Sequence, residues 1–362
     1  MKLIASLKLQ PAEEQAQALL ETIERVNLAC NYISEAAWQH QRFGKWALHK
    51  LCYYDVKERF GLSAQVVVRA IAKVADAYKL DRKTKRVFRR RGAIAYDDRI
   101  LRYKADSTVS IWTVRGRQRI PYTCGEHQRE LLKTRQGESD LIYYKGQFFL
   151  NATCNVEEPP PYNPQGFLGV DLGIINTAAS SDGEVFVGGK VNGLRKRYRK
   201  LRARLQSKGT KSAKRLLKKL SKKEHRFVTD VNHCIAKRIV AKAKAASFGI
   251  ALENLKGIRR RTTVRRHQRA TFSSWAFHQL RQFIVYKARL SGVPVVFIDP
   301  KSTSITCPVC GFVDKRNRPS QALFSCLSCG FAGPADVVAA SVIAGRAAVN
   351  QPNAAGECLA AS

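Results

Sequence analysis

The sequence is short of acid. Its 362 residues carry 28 Asp and Glu against 64 Lys and Arg, a formal charge of +36, with a pI near 10.2. The imbalance exceeds what solubility requires, and the expected partner is a polyanion. Long apolar runs are missing too. No span of about eighteen apolar residues occurs, and the N-terminal MKLIASLKLQPAEEQ has no signal-peptide core, so no membrane partner and a cytoplasmic location are expected. Disulfide-type cysteine usage is also lacking. Of ten Cys, four form two CxxC pairs and six are scattered singly, the pattern of a reducing compartment with one metal site. A hydrophobic content of 45% excludes a disordered tail protein and supports two or three domains.

The N-terminal part reads as a strand over Lys2 to Leu9, then a helix opening near Pro11 with Glu13 and Glu14 in its first turn. Leu19, Ile23, Val26, Cys30 and Ile33 give that helix one apolar face, and Val67, Ile71, Val74 and Tyr78 give another to a helix after Ser63. Residues 11–95 therefore form a helical insert. In the run from Arg82 to Arg91, seven of ten residues are basic. Phosphate contact is favoured over a merely solvated face for Arg82, Lys83, Lys85, Arg86, Arg89, Arg90 and Arg91, and Phe88 either stacks on a base or anchors the loop. From Ala105 to Glu157 the period turns to two, with a Lys145-Gly146 turn, which predicts strands of a small β-barrel that spans residues 96–160 and takes in residues 1–10. The Pro-rich 159–164 is a linker.

Beyond it, Phe167 to Val170 is an apolar strand ending on Asp171, followed by a second strand that turns at Asp182-Gly183, where a two-residue hairpin needs positive φ at both positions. Asp171 is either a hydrogen-bonded structural acid or a metal ligand. Residues 190–223 hold sixteen Lys or Arg and no acid, at a spacing that predicts two basic amphipathic helices, with Arg197, Lys200 and Arg204 toward nucleic acid. A membrane-surface role is disfavoured because the apolar face is narrow and lacks Trp and Phe. A further helix, Phe227 to Ala246, leads to a second buried strand ending on Glu253. A basic loop follows, with Arg259, Arg260, Arg261, Arg265 and Arg266 as further contacts. Ser273 to Leu290 predicts a helix burying Trp275, Leu280, Ile284 and Ala288, and Val293 to Ile298 a third strand.

Cys307-x2-Cys310 and Cys326-x2-Cys329, each pair followed by Gly, have the spacing of a ribbon closing on one structural Zn2+. Asp336 then stands in the first turn of a helix, a position that acids favour for the helix dipole alone. Two parallel strands ending in Asp171 and Glu253, with Asp336 beside them, would gather three hard oxygen donors suited to two Mg2+ ions that hydrolyse a phosphodiester.

The segments GVDLGIINTAASSDG, ALENLKGI, STSITCPVCG to FSCLSCG and ADVVAASVIAG, in that order over 167–346, resemble the RuvC-type nuclease of transposon-encoded TnpB proteins and their relatives, the miniature type V CRISPR effectors. Where this family usually has Asn-Ala before its third acid and Asn-Ala-Ala soon after, this chain has Pro334-Ala335 before Asp336 and Val337-Val338 after it, but the acid and Ala339-Ala340 are present. The resemblance implies an α/β and α+β multidomain chain: an RNase H-like (RuvC) domain over 165–302 and 334–346, a zinc ribbon over 303–333 and a tail over 347–362. It also implies that the N-terminal barrel is a wedge and the helical insert a recognition domain. Asp171, Glu253 and Asp336 would be catalytic Mg2+ ligands, guide RNA a bound cofactor, and single- and double-stranded target DNA the partner of an RNA-guided endonuclease in a prokaryotic cytoplasm. The alternatives are a cleavage-dead guided repressor, a transposase, and a zinc-ribbon binding module without a guide.

Overall fold

A computed structural model describes residues 1–255, 257, 263, 269, 272 and 277–349. The chain divides into two compact units, Met1–Glu157 and the remainder from Glu158.

In the first unit, β1 (Lys2–Leu9) precedes three helices, α1 (Glu13–Gln39), α2 (Lys45–Phe60) and α3 (Ala64–Leu80). The strands β2 (Ile94–Tyr96), β3 (Leu101–Tyr103), β4 (Thr108–Thr113) and β5 (Gly116–Thr123) follow. A short helix, α4 (Glu126–Lys133), precedes β6 (Arg135–Tyr144) and β7 (Gln147–Asn155). The strands form one antiparallel sheet in the order β2-β6-β7-β1-β5-β4-β3, so the first strand of the chain sits at its centre. Leu7, Ile111, Ile120, Leu141 and Leu150 share a core with Leu19, Ile23 and Ile33 of α1 and Val67, Ile71 and Tyr78 of α3. Both residues of the Lys145-Gly146 turn have positive φ, 51° and 79°, the handedness that suits a two-residue hairpin. The periodicity alone did not show α2. It buries only Leu48, Cys52 and Val56 and leaves Trp46 and Tyr54 exposed, too thin an apolar stripe to register.

In the second unit, β8 (Phe167–Asp171), β9 (Asn176–Ser180) and β10 (Val185–Val187) are followed by two long helices, α5 (Gly189–Lys208) and α6 (Lys211–Ala245). Next come β11 (Gly249–Glu253), α7 (Phe277–Ser291) and β12 (Val295–Ile298). A ribbon strand pair, β13 (Leu323–Ser325) and β14 (Ala332–Pro334), leads into α8 (Ala335–Val349). The helices expected as a pair over 190–223 with a third from Phe227 are two. Gly209, with φ of 63°, and the Thr210 N-cap, which accepts from Ala213 N–H, break the chain once, and no Gly or Pro stands between 211 and 245 to break it again. The Asp182-Gly183 turn is also looser than a two-residue hairpin. Gly183 has positive φ and Asp182 does not, because the Asp182 carboxylate instead accepts from Ser180 Oγ and Glu184 N–H across a longer loop. The last helix runs to Val349, past the expected end at 346; Trp275 and the tail from 350 lie outside the described residues.

The sheet order is β10-β9-β8-β11-β12, with β8, β11 and β12 parallel. Because side chains alternate along a strand, Leu168 and Val170 of β8 and Ile250 and Leu252 of β11 face one way. They share a core with Ile239 and Ala243 of α6 and Ile284 and Ala288 of α7. Phe167 and Ala251 face the other way, against Ile343 and Ala347 of α8. The same parity puts Gly169 on the α8 side, and the contact there is backbone to backbone. A Cβ on Gly169 would stand 2.0 Å from the Ala340 carbonyl oxygen and 2.6 Å from Ala344 N.

Gly169→Ala is therefore expected to force α8 off β8 and to destabilise the second unit by about 3 kcal/mol or more, since neither backbone can yield. Gly193→Ala is the control. Its site is open, and a helical Ala should leave stability equal or slightly raised. Chemical denaturation of the two variants distinguishes these outcomes.

Candidate active site and metal ribbon

Parity and register place the acids. Asp171 and Glu253 each lie two residues beyond an α8-facing position, Gly169 and Ala251, and these positions are paired across the parallel strands. Both carboxylates therefore emerge on the face that α8 covers, at the same end of the sheet. Asp336, in the first turn of α8, arrives at that end because the helix lies against Gly169.

The electrostatics match the placement. Asp171 is pushed up to about 7, first by burial and then by the charges of Glu253 and Asp336, with Arg318 opposing. Burial also raises Glu253, while the hydroxyl of Thr303 donates to its Oε1 and pulls it down. Asp336 is held from two sides, with Asn176 Nδ2 donating to Oδ2 at 2.9 Å and the Arg318 guanidinium 3.3 Å from Oδ1. Three acids thus share one pocket of charge, and two of them are driven toward the protonated form.

Among the described residues, the four ribbon cysteines are the group whose ligand atoms all lie within 4.8 Å of one another. The sulfur pairs Cys307–Cys329 and Cys310–Cys326 stand 3.6 and 3.5 Å apart. A tetrahedral Zn2+ with bonds of about 2.3 Å requires an S–S separation of about 3.8 Å, so the residues fit the metal. Two matching turns make the site. Gly311 N–H reaches Cys307 O and Gly330 N–H reaches Cys326 O, with φ of 75° and 74° at the glycines. All four thiols are free of disulfides, and hydrogen bonding led by Phe312 N–H draws Cys310 down to about 7.

The ribbon also reaches the acids. Buried Asn317 donates to Ile305 O and Phe312 O and accepts from Leu327 N–H. The next residue, Arg318, spans from Gln321 O to Asp336. Sequence reasoning missed Arg318, Thr303 and Asn176. Arg318 is one of 64 cations, and nothing in its neighbours marks it. Asn176 and Thr303 lie in two of the four quoted segments, GVDLGIINTAASSDG and STSITCPVCG, which were the available signal. Of the expected nucleic-acid contacts, Arg82, Lys83, Lys85, Arg89, Arg90 and Arg91 are exposed, as are Arg197, Lys200 and Arg204 on α5, whereas Arg86 is half-buried and engaged by Asp81. Arg259, Arg260, Arg261, Arg265 and Arg266 lie outside the described residues.

These features define a class: a carboxylate-centred α/β domain with a four-cysteine ribbon inserted before its last helix. Two family models match it in succession. One, described as Probable transposase (OrfB_IS605), covers residues 151–256, and the other, described as Cas12f1-like, TNB domain, covers 277–343. The CRISPR-associated endodeoxyribonuclease Cas12f1 of Syntrophomonas palmitatica is 34% identical over 186 residues, 47% of this chain and 36% of its own length. A TnpB-like protein of Methanocaldococcus jannaschii is 34% identical over 145 residues, 40% of this chain and 51% of its own. The matches thus span 36% to 51% of the length of these relatives. A solved Cas12f1-sgRNA-target DNA complex aligns with a TM-score of 0.60 at 15% identity, covering 92% of this chain and 83% of that one, which shows a shared fold. Over 151–256 and 277–343 the chain is thus similar to TnpB-type proteins and to the miniature type V effectors.

Two outcomes follow. Asp171 binds its proton more tightly folded than unfolded, so the metal-free protein should lose stability as pH rises from 3.8 to about 7, by up to about 4 kcal/mol. Asp171→Asn should flatten that slope in denaturation curves taken across the range. Separately, Cys310→Ser or Cys329→Ser should abolish stoichiometric zinc and lower the melting temperature of the second unit, because a structural zinc supplies about 10–16 kcal/mol of apparent binding energy. Full zinc content with unchanged melting would remove the ribbon assignment.

Proposed function

We propose that the chain is an RNA-guided DNA endonuclease whose cleavage site is Asp171, Glu253 and Asp336. The observation that carries this reading is the shared strand parity that brings Asp171 and Glu253 out beneath the start of α8, where burial and then the charges of Glu253 and Asp336 raise Asp171. Buried acids that repel one another and take up protons without a cation are a donor set for hard divalent ions. Two Mg2+ ions held by these three acids would activate water and stabilise the leaving oxygen of a phosphodiester.

The chain's own residues do the rest. Thr303 fixes one Glu253 oxygen and leaves the other for a ligand. Asn176 orients Asp336. Arg318 balances the charge of the acids, and a guanidinium at this position would suit a phosphate oxygen of the substrate. The second unit is read as an RNase H-like (RuvC) domain interrupted by the ribbon, and the first as a wedge barrel carrying a recognition helical insert. In this reading guide RNA pairs with the target strand while the protein holds the backbones through its basic surfaces. The similarity to Cas12f1 and TnpB-like proteins supports it, and a prokaryotic cytoplasm is the matching location.

Asp171→Ala, Glu253→Ala and Asp336→Ala should each abolish Mg2+-dependent cleavage, non-additively, while target binding in EDTA by the guide-loaded protein stays within a few-fold of wild type. Near-normal cleavage by one variant removes that residue from the site. Guide-dependent binding without cleavage by the wild type would make the protein a guided binder, and cleavage without copurifying RNA would make it a transposase.

A further inference from the structure

The basic segment between α3 and β2 is not a loose charge run. From Lys85 to Arg89 it belongs to no helix or strand, and its inward main-chain groups are satisfied by helix side chains. Ser34 Oγ donates to Arg86 O at 2.6 Å, and Tyr78 OH accepts from Arg86 N–H. Asn31 pairs with both sides of Phe88, accepting from its N–H at 2.7 Å and donating to its carbonyl at 3.0 Å. Asn27 donates to Gly92 O at 2.9 Å. Asn27, Asn31 and Ser34 follow one another at steps of four and three, so they form a polar ladder along one face of α1. Asn27 and Ser34 are fully buried, a cost in a helix interior that only a bonded partner offsets.

The clamp decides which way the side chains point. Phe88 turns in against the core, with Lys73 Nζ 5.2 Å from its ring centroid, so it anchors the segment and does not stack on a base. Arg89 and its neighbours then stand exposed. Two α1 acids already occupy part of this row. Glu35 pairs with Lys85, and Glu24 pairs with both Arg90 and Arg91. Arg82, Lys83 and Arg89 have no carboxylate partner among the described residues.

We propose that Asn27, Asn31 and Ser34 are positioning residues that hold the 82–91 segment as a pre-ordered rail for the phosphodiester backbone of a nucleic acid, and that Glu24 and Glu35 are placeholders the phosphates displace. The proposal rests on the nucleic-acid reading of the preceding section. Pre-ordering matters because an extended cationic segment left free would lose its conformational freedom on binding, whereas here the loss is met during folding. The placeholders keep a dense row of like charge tolerable in the free protein.

The test uses the full chain with two probes, a fluorescein-labelled random-sequence RNA and, on guide-loaded protein, a labelled matched DNA duplex. Asn31→Ala should weaken binding of at least one probe by about tenfold and make the log-log salt dependence shallower by one to two contacts, about 0.7 to 0.9 each. Hydrogen exchange at Phe88 should speed up while α1 stays protected. Glu24→Gln should act in the opposite sense and tighten binding several-fold, which a purely structural salt bridge would not do. The probe that responds identifies the strand on the rail. If Arg89→Gln weakens binding but Asn31→Ala and Glu24→Gln leave it unchanged, the clamp and placeholder roles are overturned and the nucleic-acid reading survives. If the wild type binds neither probe in a salt-dependent way, the reading itself fails. Should Asn31→Ala not fold, Ser34→Ala and the exchange rates decide the clamp, and Glu24→Gln decides the placeholders.

Discussion

The site depends on how closely one helix can lie against one strand. Backbone meets backbone where α8 crosses β8, at Gly169 on the strand and Ala340 and Ala344 on the helix. Any side chain on that strand position would lift the helix by the thickness of a methyl group or more. Asp336 sits one turn before Ala340, so such a shift would carry it away from Asp171. The small residues along α8 are thus a distance setting for a carboxylate. The departure from the usual motif at Val337 and Val338 falls beside that contact and leaves it intact, since Ala339 and Ala340 are both buried.

A second dependence runs through the ribbon. It is far from being an appendage: the turn after Asn317 hands Arg318 to Asp336, and β14 ends where α8 begins. A metal held by the four cysteines would therefore act on the carboxylates through the backbone it organises. The acids in turn explain why a guanidinium is tolerated there, because burial and the charges of Glu253 and Asp336 raise Asp171 and Arg318 opposes that rise. The first unit shows the same balance of charge by geometry. A run of cations is held in order by neutral amides and a hydroxyl, and the carboxylates of Asp81, Glu35 and Glu24 offset part of its charge.

Much was legible before the structure because the relevant signals are local. Strand endings at Asp171 and Glu253, the start of a helix before Asp336, the two CxxC turns with their glycines, and the apolar faces of α1 and α3 all follow from periodicity and turn chemistry over a few residues. Where local signal was weak the reading failed in an understandable way. The helix α2 has a thin apolar stripe, and α6 was split because a basic stretch and an apolar stretch looked like separate elements when no breaker lies between them. The Asp182 turn was misjudged because a side-chain acceptor competed with the backbone geometry expected of the dipeptide.

By itself the sequence determined which residues are the candidates for chemistry: three acids at element ends, four thiols at ribbon spacing, and basic runs in a chain poor in acid. Each is a property of neighbours along the chain. Only the tertiary structure decided what those residues meet. That Asp171 and Glu253 share a sheet face with α8 follows from the register of two strands 82 positions apart, and that Arg318 rests on Asp336 follows from the path of the ribbon. That Phe88 points inward follows from an asparagine 57 residues earlier. Contacts between distant segments depend on packing and register, for which no short stretch of sequence contains the partner.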